Sequence, residues 1–205
     1  MGPALSVLTL ALVVMLGASP SRAGEEPAKA GAGLVAFPEN ATTVTVLQGN
    51  EPYMDIQLIG WAPKWAWMGF GGSVQEKDDG TILASAAKAE AGADVKATVH
   101  ARKTGPRQLR LDVELQASKD TGLTYIVAAL DAVETRFGKG KAIATGADGA
   151  TKEVAFPLGK KGLGDSIKQL TLVDNEGSKT TLTLDPPCNV PSDGAARIVL
   201  AFPND

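Results

Sequence analysis

The chain has 205 residues, 44% of them hydrophobic and 21% charged, with 20 Lys and Arg against 23 Asp and Glu and a formal net charge of −3. With the cations spread along a mildly acidic chain, the electrostatic footprint of a nucleic-acid binder is missing, and no nucleic-acid partner is expected. The one cysteine, Cys188, excludes an intramolecular disulfide, and the one histidine, His100, beside that one cysteine argues against a zinc site.

Residues 4–18 form an almost unbroken run of Leu, Val, Ala and Met, followed by the small residues Ser21 and Ala23. Such a run is too short to cross ~30 Å of hydrocarbon as a helix and has the outline of a secretory leader. Residues 1–23 are therefore expected to be a signal peptide, which predicts an exported protein, periplasmic or extracellular, with no membrane association after cleavage. Residues 24–34, rich in Gly, Ala, Glu and Lys without apolar periodicity, predict a flexible spacer. Residues 35–205 are enough for one hydrophobic core and are expected to form one domain.

Beyond the spacer the signals are those of strands. Residues 42–47 and 54–59 are short and rich in β-branched or aliphatic side chains. The region from Tyr53 to Phe70 then gathers all three tryptophans, Trp61, Trp65 and Trp67, within seven positions. On a strand, Trp65 and Trp67 would share one face and Ala66 and Met68 the other. Residues 81–92 are alanine-rich, which favours helix, yet their Ile82-Leu83 start fits a strand equally well. Residues 95–102 and 108–116 both alternate: Leu109, Leu111, Val113 and Leu115 occupy one face of the second, with polar residues between them. The intervening Lys103-Thr104-Gly105-Pro106-Arg107 is turn chemistry and predicts a hairpin. Further strands are expected at 123–130, 142–145, 153–158, 168–173, 180–184 and 196–202. Those around Ile126-Val127 and Val199-Leu200 are apolar on both faces, which suits the interior of a sheet. Short strands separated by turn signals predict an all-β, two-sheet antiparallel β-sandwich, jelly-roll-like.

Chemistry is sparse. His100 falls on the polar face of its strand with Lys96 and Arg102, without the company a Ser-His-Asp or Cys-His arrangement requires. No phosphate loop or dinucleotide turn is present; Gly69-Phe70-Gly71-Gly72 has no βαβ unit around it. The acidic pairs Asp112/Glu114 and Asp131/Glu134 are what any strand with a wet face accumulates. Asp148-Gly149 and Asp174 with Gly177 read as hairpin turns ahead of calcium ligands. No catalytic residue, cofactor or metal is assigned. The aromatic cluster is the feature that points to binding. Flat, rigid aromatic rings suit the faces of sugars, so the candidate ligand-binding residues are Trp61, Trp65, Trp67, Tyr53 and Phe70.

The Trp-rich turn, the long hairpin over 101–116, Asp120-Thr121-Gly122-Leu123-Thr124-Tyr125, and the closing Thr181-Leu182-Thr183-Leu184-Asp185-Pro186-Pro187 and Asp193-Gly194-Ala195-Ala196-Arg197-Ile198 give the chain a character. It resembles the non-catalytic N-terminal β-sandwich of large exported bacterial glycoside hydrolases. The resemblance implies an accessory or carbohydrate-binding module of a polysaccharide-degrading system, with a polysaccharide or oligosaccharide as ligand. The rival expectation is a structural or protein-interaction sandwich packing on a catalytic domain or partner protein, and a third is a small glycoside hydrolase.

Overall fold

The computed structural model describes residues 6–16, 34–40, 42–48, 51–62, 66–77, 80–88, 94–118, 125–132, 134–158, 162–191 and 197–202. These form an all-β, two-sheet antiparallel sandwich. The strands are β1 (Ser6–Leu16), β2 (Leu34–Asn40), β3 (Thr43–Gln48), β4 (Glu51–Ala62), β5 (Ala66–Met68), β6 (Gly71–Lys77), β7 (Gly80–Lys88) and β8 (Asp94–Gly105). They continue as β9 (Gln108–Ala117), β10 (Tyr125–Ala132), β11 (Lys141–Gly146), β12 (Thr151–Ala155), β13 (Gly164–Val173), β14 (Lys179–Val190) and β15 (Arg197–Phe202). A single turn of helix, α1 (Glu134–Phe137), precedes β11.

The larger sheet runs β6-β7-β8-β9-β1-β14, continued by β13, β11 and β12; the smaller runs β2-β3-β4-β10-β15, with β5 on the end of β4. Within each sheet most neighbours are consecutive hairpins, which keeps loop-closure costs low. β14 belongs to both. One edge pairs with β1 as far as Asp185 and then with β15 at Asn189–Ala201, while the other edge stays on β13 from Lys179 to Val190 with two register shifts. The switch falls at Pro186-Pro187, two residues with no N–H to offer a ladder.

The alternation in the sequence sets the faces. In β8, Val95, Ala97, Val99 and Ala101 are buried while Lys96 is exposed and His100 and Arg102 are half-buried. Leu109, Leu111 and Leu115 of β9 face the same core, joined by Leu170 and Leu172, Leu182 and Leu184, and from the smaller sheet Val44, Val46, Ile56, Leu58, Ile198 and Leu200. As expected from their double-sided hydrophobicity, β10 and β15 are interior strands: β10 lies between β4 and β15, and Ile198 to Ala201 are buried in succession. The ambiguous 81–92 stretch resolves to strand over Gly80–Lys88, because its partners β6 and β8 provide ladders on both sides.

Three strands had no counterpart in the sequence reading: β1, β2 and β6. β1 carries the apolar run expected to act as a leader. It pairs antiparallel with β9 over ten positions, Ser6 to Met15, and with β14 over Ala11 to Leu16. Val14 is fully buried between Leu109 and Leu182, its register partners, whereas Met15 is 45% exposed on the outer face. A uniformly apolar run satisfies the inward face of a central strand and leaves apolar side chains outside. The spacer expected over 24–34 lies outside the described residues except for Leu34, the first residue of β2.

In the chain that keeps residues 1–23, Val14→Asp places a carboxylate between two buried leucines. The expected loss is more than about 3 kcal/mol in denaturant unfolding, whereas Met15→Asp is expected to change stability by less than about 0.5 kcal/mol.

Candidate functional site

β5 folds back on the end of β4 as a hairpin in which Trp61 stands directly opposite Trp67, flanked by the pairs Gly60–Met68 and Ala62–Ala66. On its other side Trp61 is the register partner of Tyr125, the first residue of β10. Tyr125, Trp61 and Trp67 thus occupy one cross-strand row over three adjacent strands, about 10 Å from end to end at normal strand spacing. Directly opposed positions share a face of the sheet. Ile56 and Leu58 of β4 belong to the core, so the odd positions Asp55, Gln57 and Ile59 lie on the opposite face. Asp55 and Gln57 are half-buried there and Ile59 is fully buried. Asp55 accepts a hydrogen bond of 2.7 Å from Thr45 Oγ1.

The other expected ligand-binding residues divide. Trp65 lies outside the described residues. Phe70 is half-buried and packs against the core. Tyr53, grouped with the tryptophans on sequence, has no exposure at all. A register shift between Val46 and Leu47 leaves it unpaired on β4 beside Met54, and both side chains are buried in the core. Its hydroxyl hydrogen-bonds the Thr180 hydroxyl, its ring meets Phe137 edge-on at 5.3 Å, and the Arg136 guanidinium lies 4.4 Å from its centroid. Burial raises its pKa, against the opposing pull of the Thr180 hydrogen bond and Arg136. Tyr53 is a packing residue with no surface for a ligand.

Tyr125 is the residue the sequence reading did not place with the tryptophans. Only the β4–β10 register brings it there, and its sole advance signal is its position at the start of an apolar strand.

The remaining polar groups are held in structural roles. Gly149 at φ 87° and Gly177 at φ 84° adopt the left-handed conformation in two hairpin turns of the same kind. In the first, Gly149 N–H donates to Gly146 O and Ala150 N–H to the Asp148 carboxylate. In the second, buried Asp174 accepts from the N–H groups of Glu176 and Ser178 and pairs with Arg136 at 3.3 Å. Asp112 bridges Arg102 and Arg110, and Glu114 accepts from Gln116. Among the described residues no group of three His, Cys, Asp or Glu side chains is placed to hold a metal ion. Cys188 is buried, and burial pushes its thiol up to about 12.

Comparison with protein-family models, with curated proteins and with solved structures finds no match for the chain.

Two outcomes follow from the buried groups. Tyr53→Phe leaves the Thr180 hydroxyl without this partner in the core and is expected to cost about 1–2 kcal/mol in denaturant unfolding. Native protein at pH 9 is expected to resist alkylation of Cys188, and unfolded protein to react fully. Below the thiol's ordinary 9.0 both states are protonated and this group leaves stability unchanged. From there to about 12 only the unfolded chain releases the proton, so stability is expected to fall as pH rises through that window.

Proposed function

We propose that this protein is an exported, non-catalytic carbohydrate-binding or accessory module of a polysaccharide-degrading system, of the kind found beside bacterial glycoside hydrolases. The observation that supports the reading is the register row Tyr125–Trp61–Trp67, carried by three adjacent strands of the smaller sheet. A row of aromatic positions on a β-sheet is a pre-organised platform. The backbone ladder fixes the spacing, so little conformational entropy is lost when sugar rings stack along it. No reaction is assigned to the chain, and the ligand is bound without being cleaved.

The test is depletion of the protein from solution by a panel of insoluble plant, algal and bacterial polysaccharides, beside Trp67→Ala and Tyr125→Ala variants with unchanged unfolding profiles. Retention of the wild type on at least one polysaccharide, weakened about tenfold or more in each variant, is the expected outcome; aromatic stacking of ~1–3 kcal/mol sets that scale. Absence of retention on every polysaccharide would transfer the weight to a protein-interaction role.

A further inference from the structure

The larger sheet carries a different kind of surface. Between Arg102 and Arg110 the chain reads Arg-Lys-Thr-Gly-Pro-Arg-Gln-Leu-Arg, four cations in nine residues with no acid, in a protein whose net charge is −3. The β8–β9 hairpin folds this segment onto one end of the larger sheet. Arg102 and Arg110 are direct register partners. Their neighbours Ala101, Leu109 and Leu111 are buried in the core, so both arginines lie on the outer face, with side chains 37% and 41% exposed. Lys103, the register partner of Leu109, and Arg107 in the turn are exposed at the same end of the hairpin.

Like charges directly opposite one another on a sheet are unfavourable. Here the opposition is held in place. Asp112 receives Arg102 Nη2 on one carboxylate oxygen and Arg110 Nε on the other, each at 2.7 Å. One carboxylate neutralises one of the two charges and fixes both guanidinium groups. Each guanidinium has five N–H donors in a planar fork, and each spends one nitrogen on Asp112. What remains is a surplus of positive charge on two side chains whose Cβ atoms stand about 5 Å apart, with planar donor groups suited to the carboxylate or sulfate oxygens of a second anion.

We propose that the outer face of the β8–β9 hairpin is an anion-binding site, built on the Arg102–Asp112–Arg110 triad with Lys103 and Arg107 at its rim, whose ligand is an acidic polysaccharide. The anionic group is a uronate carboxylate or a sulfate ester; both present the same oxygen geometry to a guanidinium. That the anion is carried by a polysaccharide rests on the proposed function, whereas the arginine pair belongs to the larger sheet and shares no residue with the row Tyr125–Trp61–Trp67. The site adds charge to the description of the ligand.

The test is affinity electrophoresis and salt-gradient elution of the full chain on immobilised polygalacturonate, dextran sulfate and neutral dextran. The variants are Arg102→Gln/Arg110→Gln, Lys103→Gln/Arg107→Gln and a charge-matched control, Lys152→Gln/Lys168→Gln, each checked by thermal unfolding. Retention on one or both acidic polymers and not on neutral dextran is expected, weakened about tenfold at low salt by the arginine pair and much less by the lysine control. The polymer retained identifies carboxylate or sulfate as the group bound. Should Arg102→Gln/Arg110→Gln not fold, the Lys103/Arg107 variant decides by the same comparison. Equal loss in the lysine control would reduce the effect to net charge and overturn the site, as would unchanged elution of the hairpin variants or tighter retention on duplex DNA than on either acidic glycan. Trp67→Ala is expected to leave elution from the acidic polymers unchanged, so failure of the aromatic platform and failure of this site are read separately.

Discussion

The fold depends on one strand serving two sheets. β14 contributes Thr180, Leu182 and Leu184 to the face of the larger sheet that looks into the sandwich, and two prolines later it contributes Cys188 and Val190 to the same core as it reaches β15. A strand interior to one sheet ordinarily keeps its ladder to the end. Pro186 and Pro187 remove two donors in succession, so along one edge β14 exchanges β1 for β15 there, while along the other edge β13 stays paired through Cys188 and Val190. Residues from both sheets then belong to one continuous core. The hydrophobic faces of β8, β9, β4 and β15 all meet around this strand.

The second anchor is the contact between α1 and the turn joining β13 to β14. Asn175 N–H donates to Arg136 O, the Asn175 side chain donates to Thr135 O and accepts from Lys139 N–H, and Asp174 pairs with Arg136. These bonds satisfy the ends of a helix too short to stand by itself. They also deliver Phe137 and the Arg136 guanidinium onto Tyr53. An aromatic that looks from sequence like part of a binding cluster is thereby enclosed by groups more than eighty residues further along the chain. Its hydroxyl finds Thr180 there, which is what makes burial of a tyrosine tolerable.

Residues 6–16 show how one sequence property admits two physical readings, of which the structure describes the strand. An uninterrupted apolar run is what export machinery reads as a leader, and it is equally what a central strand offers to a hydrophobic interior. Alternation distinguishes a strand with one wet face, but here it is absent from the sequence, since both faces are apolar. The consequence is visible at Met15, an exposed thioether on a surface where β8 and β9 carry charged groups. The outer face of the larger sheet also bears the arginine pair at the β8–β9 hairpin.

The sequence by itself determined the class of fold and most of its strands, because side-chain alternation and turn chemistry are local. Val95 to Ala101 and Leu109 to Leu115 announce their buried faces without reference to any partner, and Asp148-Gly149 and Asp174 to Gly177 announce their turns. It also gathered the three tryptophans within seven positions, but the β4–β5 register was needed to set Trp61 opposite Trp67. The tertiary structure decided what depends on register. It joined Tyr125 to the tryptophans across the β4–β10 ladder, took Tyr53 away from them through an unpaired residue in β4, and set Arg102 opposite Arg110 with Asp112 between. Pairing between strands distant in the chain is fixed by the whole core at once, and a shift of one residue would exchange every face; no local pattern carries that information.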